Sequence, residues 1–102
     1  MLELRPNCEW CNKDLPPDAT DARICTYECT FCADCVGAVL FNVCPNCGGG
    51  FAPRPIRPKT EWRPGVCRGK QPASAQRVAL KWVRGEVAEF IQRVHGIEPE
   101  KR

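Results

Sequence analysis

Four close pairs of cysteines, a first half poor in large apolar residues, and a change to helical periodicity near the end predict a small metal-stabilised α+β fold. A proline-rich arm and a C-terminal amphipathic helix complete it. The chain has 102 residues, and the first fifty hold eight of its nine cysteines. A core of that size generally needs disulfides, a metal or a partner to offset the conformational entropy lost on folding. Residues 1–50 therefore read as a Cys-rich module, 51–72 as an extended arm, 73–96 as a helix and 97–102 as a tail that frays.

The cysteines run Cys8-x2-Cys11, Cys25-x3-Cys29, Cys32-x2-Cys35 and Cys44-x2-Cys47, with Cys67 alone downstream. Eight thiolates suit two tetrahedral sites of four, and zinc favours such soft ligands without resisting the tetrahedron. Two Zn2+ ions are the expected cofactors. A Cys-x2-Cys turn is eased by small or αL-tolerant residues after its second cysteine, here Asn12 and Gly48-Gly49-Gly50. Pairs two and three are separated only by Thr30 and Phe31, too close for two self-contained sequential ribbons. Interleaving relieves the crowding: Cys8, Cys11, Cys32 and Cys35 would form site 1, and Cys25, Cys29, Cys44 and Cys47 site 2. Residues 23–25 and 27–31 then make a short hairpin. Residues 33–41 open a helix with Val36, Val39 and Leu40 inward, its N-terminus favouring thiolate charge at Cys32 and Cys35.

This order resembles a RING finger with Cys29 in place of the usual histidine, which implies an all-cysteine cross-brace and a treble-clef fold. Phe31 before Cys32 and Pro45 after Cys44 match the same pattern. The opening Leu2-Glu-Leu-Arg-Pro-Asn-Cys8-Glu, the run Asp21 to Cys35, and Val43-Cys-Pro-Asn-Cys-Gly-Gly49 resemble a bacterial family known as domain of unknown function 1272. The resemblance is close over residues 2–50, fainter through the arm and 72–78, and supplies no activity. RING fingers that act as ubiquitin ligases recruit their partner enzymes through an apolar residue in the first pair, where Trp10 stands. Gly48 replaces the basic residue that many of them carry after the last cysteine, and a bacterial host implies no ubiquitin system, so ligase activity is a remote alternative.

Other metal chemistries fit worse. Cys25-x3-Cys29-x2-Cys32 is the spacing of the radical-SAM cluster, which requires a barrel far longer than this chain. The ferredoxin run would place its fourth Cys-Pro three residues after Cys35, where here eight intervene. No leader peptide or membrane-length apolar run is apparent, so the expected setting is cytoplasmic, where paired cysteines are more often metal ligands than disulfides.

Charge divides the chain. Residues 1–50 carry a net −4 and residues 51–102 a net +7. From Arg54 to Arg84 nine Lys/Arg face only Glu61. Five prolines between 51 and 72 exclude a helix there and disfavour a central strand. Beyond Ser74, a plausible N-cap, Leu80, Val83, Val87, Phe90, Ile91 and Val94 recur at helical spacing up to Gly96, with Glu89 and Arg93 placed to pair. Gly85 would weaken the middle of that helix. Its stripe needs a cover, which the module, a second copy (a homodimer through the helix) or a partner would supply.

No Ser/His/Asp set, carboxylate pair or phosphate loop can be assembled, and a non-enzymatic interaction or adaptor module is expected, binding protein rather than membrane. Trp10, Arg54, Arg57, Lys59, Arg63 and Trp82 are the candidate partner-binding residues. The basic arm admits two readings: a nucleic-acid contact, salt-sensitive through its phosphates, or a counterion for the acidic module. The second is favoured because only Trp62 and Trp82 could stack on bases. His95 reads as a solvated helix-end histidine. Cys67 reads as a bystander thiol, although Arg68 and Lys70 beside it could make it oxidisable.

Overall fold

The computed structural model describes residues 1–102. Strand β1 (Ala22–Ile24) and strand β2 (Thr30–Cys32) pair antiparallel, with Ala22 opposite Cys32 and Ile24 opposite Thr30. Cys25 N–H donates to the Cys29 carbonyl across the turn (3.2 Å), and Glu28 closes it with a left-handed φ of 67°. β2 runs directly into helix α1 (Ala33–Ala38). Cys35 is buried in α1 and Val36 packs against the same core, but the helix ends at Ala38 rather than near Phe41, so Val39 and Leu40 turn inward from the loop that follows it.

Strand β3 (Ala52–Pro53) adds to the other side of β1, giving the order β2-β1-β3. Pro53 is tolerated because β3 is an edge strand, where a missing N–H costs little. The core beneath the sheet is small: Phe31, Leu15, Leu40 and Val43 are its fully buried large side chains. Helix α2 (Arg84–Val94) closes it by inserting Val87 and Ile91, one turn apart. Of the three covers that the apolar stripe could take, the fold uses the chain's own module.

Two further sequence expectations need correction. The C-terminal helix is half the predicted length, starting at Arg84 rather than near Ser74, so Leu80 and Val83 lie outside it. Tertiary hydrogen bonds override helix propensity in this segment. The buried Asn7 amide clamps Val78, donating to its carbonyl (2.8 Å) and accepting from its N–H (3.1 Å), as a neighbouring strand would. Ser74 N–H donates to the Leu4 carbonyl (3.0 Å) instead of capping a helix. Gly85, expected in mid-helix, falls in the first turn, and Arg93 lies over the Phe90 ring (5.6 Å) rather than pairing with Glu89.

The tail is the second correction. It forms a 3-10 turn, Pro99–Lys101, and the Arg102 guanidinium donates to the Asn42 carbonyl (2.7 Å) and the Gly48 carbonyl (3.2 Å). Those two acceptors lie in tight loops whose carbonyls a strand or helix would otherwise have used.

The Asn7 clamp is open to test. Asn7→Ala strands the Val78 N–H and carbonyl, at a cost of about 1–3 kcal/mol for groups left unpaired. The expected outcome is a lowered unfolding midpoint with new proteolytic cleavage between residues 74 and 83, measured by chemical denaturation and limited proteolysis.

Candidate metal centre

The backbone around each cysteine pair is shaped to aim two thiols at one point. In the first pair, Asn12 N–H donates to the Cys8 carbonyl (2.8 Å) and Asn12 takes φ 64°. In the fourth, Gly48 N–H donates to the Cys44 carbonyl (2.8 Å) with φ 78°, and Gly49 N–H points at the Cys47 sulfur (3.4 Å). The two αL residues are among those the sequence singled out. In the second pair Tyr27 N–H donates to the Cys25 sulfur (3.3 Å). Such N–H···S contacts favour the thiolate over the thiol.

These turns gather the sulfurs into two groups. Cys8, Cys11, Cys32 and Cys35 place all four Sγ atoms within 4.8 Å of one another. Cys25, Cys44 and Cys47 do the same within 4.8 Å. The groups interleave along the chain, since Cys25 of one precedes Cys32 and Cys35 of the other. All nine cysteines are free thiols. Cys11 and Cys32 sulfurs are 3.8 Å apart, far beyond a disulfide bond. That separation matches the roughly 3.8 Å between thiolates on a tetrahedron with zinc–sulfur bonds of about 2.3 Å. The donor set therefore fits zinc.

Cys29 stands apart from the three-sulfur group. The neighbouring Cys44 sulfur and then Asn46 Nδ2, which donates to the Cys29 sulfur (3.3 Å), hold the Cys29 pKa down to about 5. The Cys44 thiol moves the opposite way, first through its nearness to Cys29 and then through burial. Burial is the main force that pushes Cys25 up to about 11 and raises Cys8 and Cys35. Where burial makes thiols resist ionisation, as at Cys8, Cys25 and Cys35, a divalent cation would stabilise the thiolates in place of protons.

Around the sulfurs lie residues the sequence reading did not identify. Asn46, inside the fourth pair, donates to Cys29 and accepts from Trp82 Nε1 (2.9 Å), tying the second group to the segment before α2. Glu9, buried beside Cys8, accepts from Thr30 N–H (2.6 Å) and from Arg5 (3.0 Å), and its own N–H returns a bond to the Thr30 carbonyl (2.9 Å). Burial raises the Glu9 pKa against those bonds. Asparagine and glutamate carry no spacing signal, and only the fold brings them to the cluster.

The candidate partner-binding residues divide. Arg54 is not a surface residue: it is 4% exposed, and its guanidinium donates to the carbonyls of Arg5 (2.8 Å), Leu15 (3.2 Å) and Pro16 (2.9 Å). Arg57 is likewise drawn inward, to the carbonyls of Gln71 (2.7 Å) and Leu2 (2.8 Å). The reason is common to both: loop carbonyls lacking a backbone donor are satisfied by a planar five-donor side chain. Trp10 is half-buried under Arg84, whose guanidinium sits 4.4 Å over the ring. Trp82 is exposed but held by Asn46, whereas Lys59 and Arg63 are exposed. Cys67 is buried and belongs to neither sulfur group.

The family described as protein of unknown function DUF1272 matches residues 1–57. The chain belongs to that family. An uncharacterised protein of Rhizobium meliloti (strain 1021) is 55% identical over 78 residues, covering 76% of this chain and 86% of the relative. Its match is longer than the 57 residues of the DUF1272 region, so the likeness extends into the arm that the Cys-rich module holds. No solved structure matches the chain.

Metal analysis of the purified chain should find two zinc ions, colourless, with a chelator unfolding it. Cys8→Ser and Cys44→Ser should each lower the content toward one, whereas Cys67→Ser should leave two. Because zinc binds thiolates, protons compete: occupancy should fall as pH drops and recover as it rises.

Proposed function

We propose that the chain is a non-enzymatic interaction module of the cytoplasm, a cross-braced RING-like treble clef holding two zinc ions and binding a protein partner. Interleaving of the two sulfur groups supports the cross-brace, and the bond from Asn46, between Cys44 and Cys47 in sequence, to the Cys29 sulfur (3.3 Å) supports Cys29 as the fourth ligand of the second site. The non-enzymatic reading rests on the sequence, which offers metal ligands but no nucleophile paired with a base. No helix is long and apolar enough to cross a membrane.

The observation that carries protein over nucleic acid is how the arm's cations are used. Arg54 and Arg57 serve loop carbonyls, Arg68 faces Asp18 (3.8 Å), and Arg77 pairs with Asp14 (2.7 Å) while donating to Asn12. Arg84 covers Trp10. Five of the nine basic residues between 54 and 84 are thus engaged with their own chain. These contacts also favour the counterion reading of the arm, because two zinc–tetrathiolate centres would each add a formal charge of about −2 to an already acidic module.

Lys59, Arg63, Lys70 and Lys81 remain exposed and support the second reading, nucleic acid. Salt separates the two. Four phosphate contacts to a single strand lose roughly twentyfold in affinity between about 0.1 and 0.3 M salt. Partner capture by the zinc-loaded chain should instead persist across that range and vanish with a chelator. Oligonucleotide retention with the steep salt dependence, and no salt-resistant protein complex, would reverse the assignment.

A further inference from the structure

Among the exposed apolar side chains, which also include Tyr27, Phe41 and Val83, three fall in one stretch of the arm. Trp62 is 79% exposed, and Ile56 and Val66 near it in sequence are about half-exposed, at 49% and 48%. A lone exposed tryptophan on a frayed loop would mean little, but this loop is built. Arg68 N–H donates to the Pro58 carbonyl (2.8 Å) and closes it. Below that bond, Arg57 reaches the Gln71 carbonyl (2.7 Å) and Cys67 is buried at 5% exposure. Within the loop, Pro64 and Gly65 occupy the central positions of a turn with Gly65 at φ 82°, and Val66 N–H returns to the Arg63 carbonyl (3.3 Å). This is the residue order of a type II turn. The Glu61 carboxylate accepts from Gly65 N–H (2.8 Å), so the loop's single acid is used to brace it.

The cations flanking Trp62 are left over. Arg54, Arg57 and Arg68 are drawn to the module, whereas Lys59, Arg63 and Lys70 are exposed and pair with no carboxylate of the chain. A braced aromatic anchor ringed by unpaired cations lowers the ordering cost of association and matches the composition of interface hot spots.

We propose that loop 58–68 is the docking element of the interaction module: Trp62 enters an apolar pocket on a partner protein, and Lys59, Arg63 and Lys70 meet acidic residues at the pocket's rim. The proposal rests on the protein-binding reading above and specifies its contact. Single-stranded nucleic acid is disfavoured as the occupant because the loop offers one ring, whereas strand-binding grooves stack successive bases on several. A bilayer is disfavoured because a single tryptophan with two half-exposed aliphatic side chains offers little area to insert.

The test uses the full zinc-loaded chain and its variants W62A and K59E/R63E, each checked for unchanged zinc content and circular dichroism. Proteins captured from host extract by the wild type are purified and titrated directly against all three chains. A captured protein whose dissociation constant rises tenfold or more with W62A, and again with K59E/R63E, supports the proposal. A protein that binds all three chains equally overturns the docking loop while leaving the interaction module intact. Absence of any directly binding protein overturns both. Oligouridylate, or phosphatidylserine vesicles, retained by the wild type and released by W62A would assign the loop to that other occupant. A W62A-sensitive dimer in sedimentation would assign it to a second copy.

Discussion

Everything in this fold depends on bringing cysteine sulfurs together inside a core too small to fold by apolar burial alone. The interior offers Phe31, Leu15, Leu40 and Val43 as its large, fully buried apolar side chains. The sulfurs occupy much of the remaining space, and burial opposes ionisation of Cys8, Cys25 and Cys35. At Cys29 the neighbouring Cys44 sulfur and the Asn46 amide act against burial and hold the pKa down. A zinc ion at each group would replace that arrangement with ligand bonds and, in structural sites of this kind, contribute binding free energy of ~10–16 kcal/mol that is also folding free energy. The turns, hairpin and short helix need little stability of their own once the sulfurs are gathered.

The second half compensates for what the first lacks. An irregular module rich in knuckles and turns leaves carbonyls without backbone donors, and arginines supply them. Arg54 is the extreme case, a buried guanidinium whose pKa is lowered by desolvation and whose partners are three neutral carbonyls. An unpaired buried cation would ordinarily cost several kcal/mol. Here three carbonyls take up its donors, which offsets part of that cost. The basic arm therefore works as a set of structural donors.

Much of the candidate site was legible because metal ligation imposes spacing. Cysteine pairs two or three residues apart, with Asn12 and Gly48 behind them, constrain the backbone locally, and crowding between Cys29 and Cys32 already pointed to interleaved groups. The hairpin and the start of α1 followed from the same frame, although the second strand begins only at Thr30 and the helix stops at Ala38, short of Phe41. The helix was misjudged in length because periodicity at Leu80 and Val83 is indistinguishable from helix until Asn7, some seventy residues earlier, is seen to clamp Val78. Arg54 and Arg57 were misplaced for the same reason. A basic residue in a proline-rich stretch reads as solvent-facing, and nothing local reveals that a carbonyl far away in sequence lacks a donor.

Asn46 shows how closely the halves are coupled. Its side chain joins the Cys29 sulfur to the Trp82 indole, and the adjoining Gly48 leaves room for Phe90 of α2, whose ring would lie 3.3 Å from a Cβ at that position. The fourth cysteine turn is thus a candidate ligand pair on one side and a docking face for Trp82 and helix α2 on the other. Docking of residues 74–94 requires that turn to be formed, and forming the turn presents Cys44 and Cys47 to a metal. By thermodynamic linkage the two events strengthen each other by one and the same factor, whichever comes first. A metal bound at the second sulfur group would therefore be coupled to the docking of residues 74–94, because both act through the same turn.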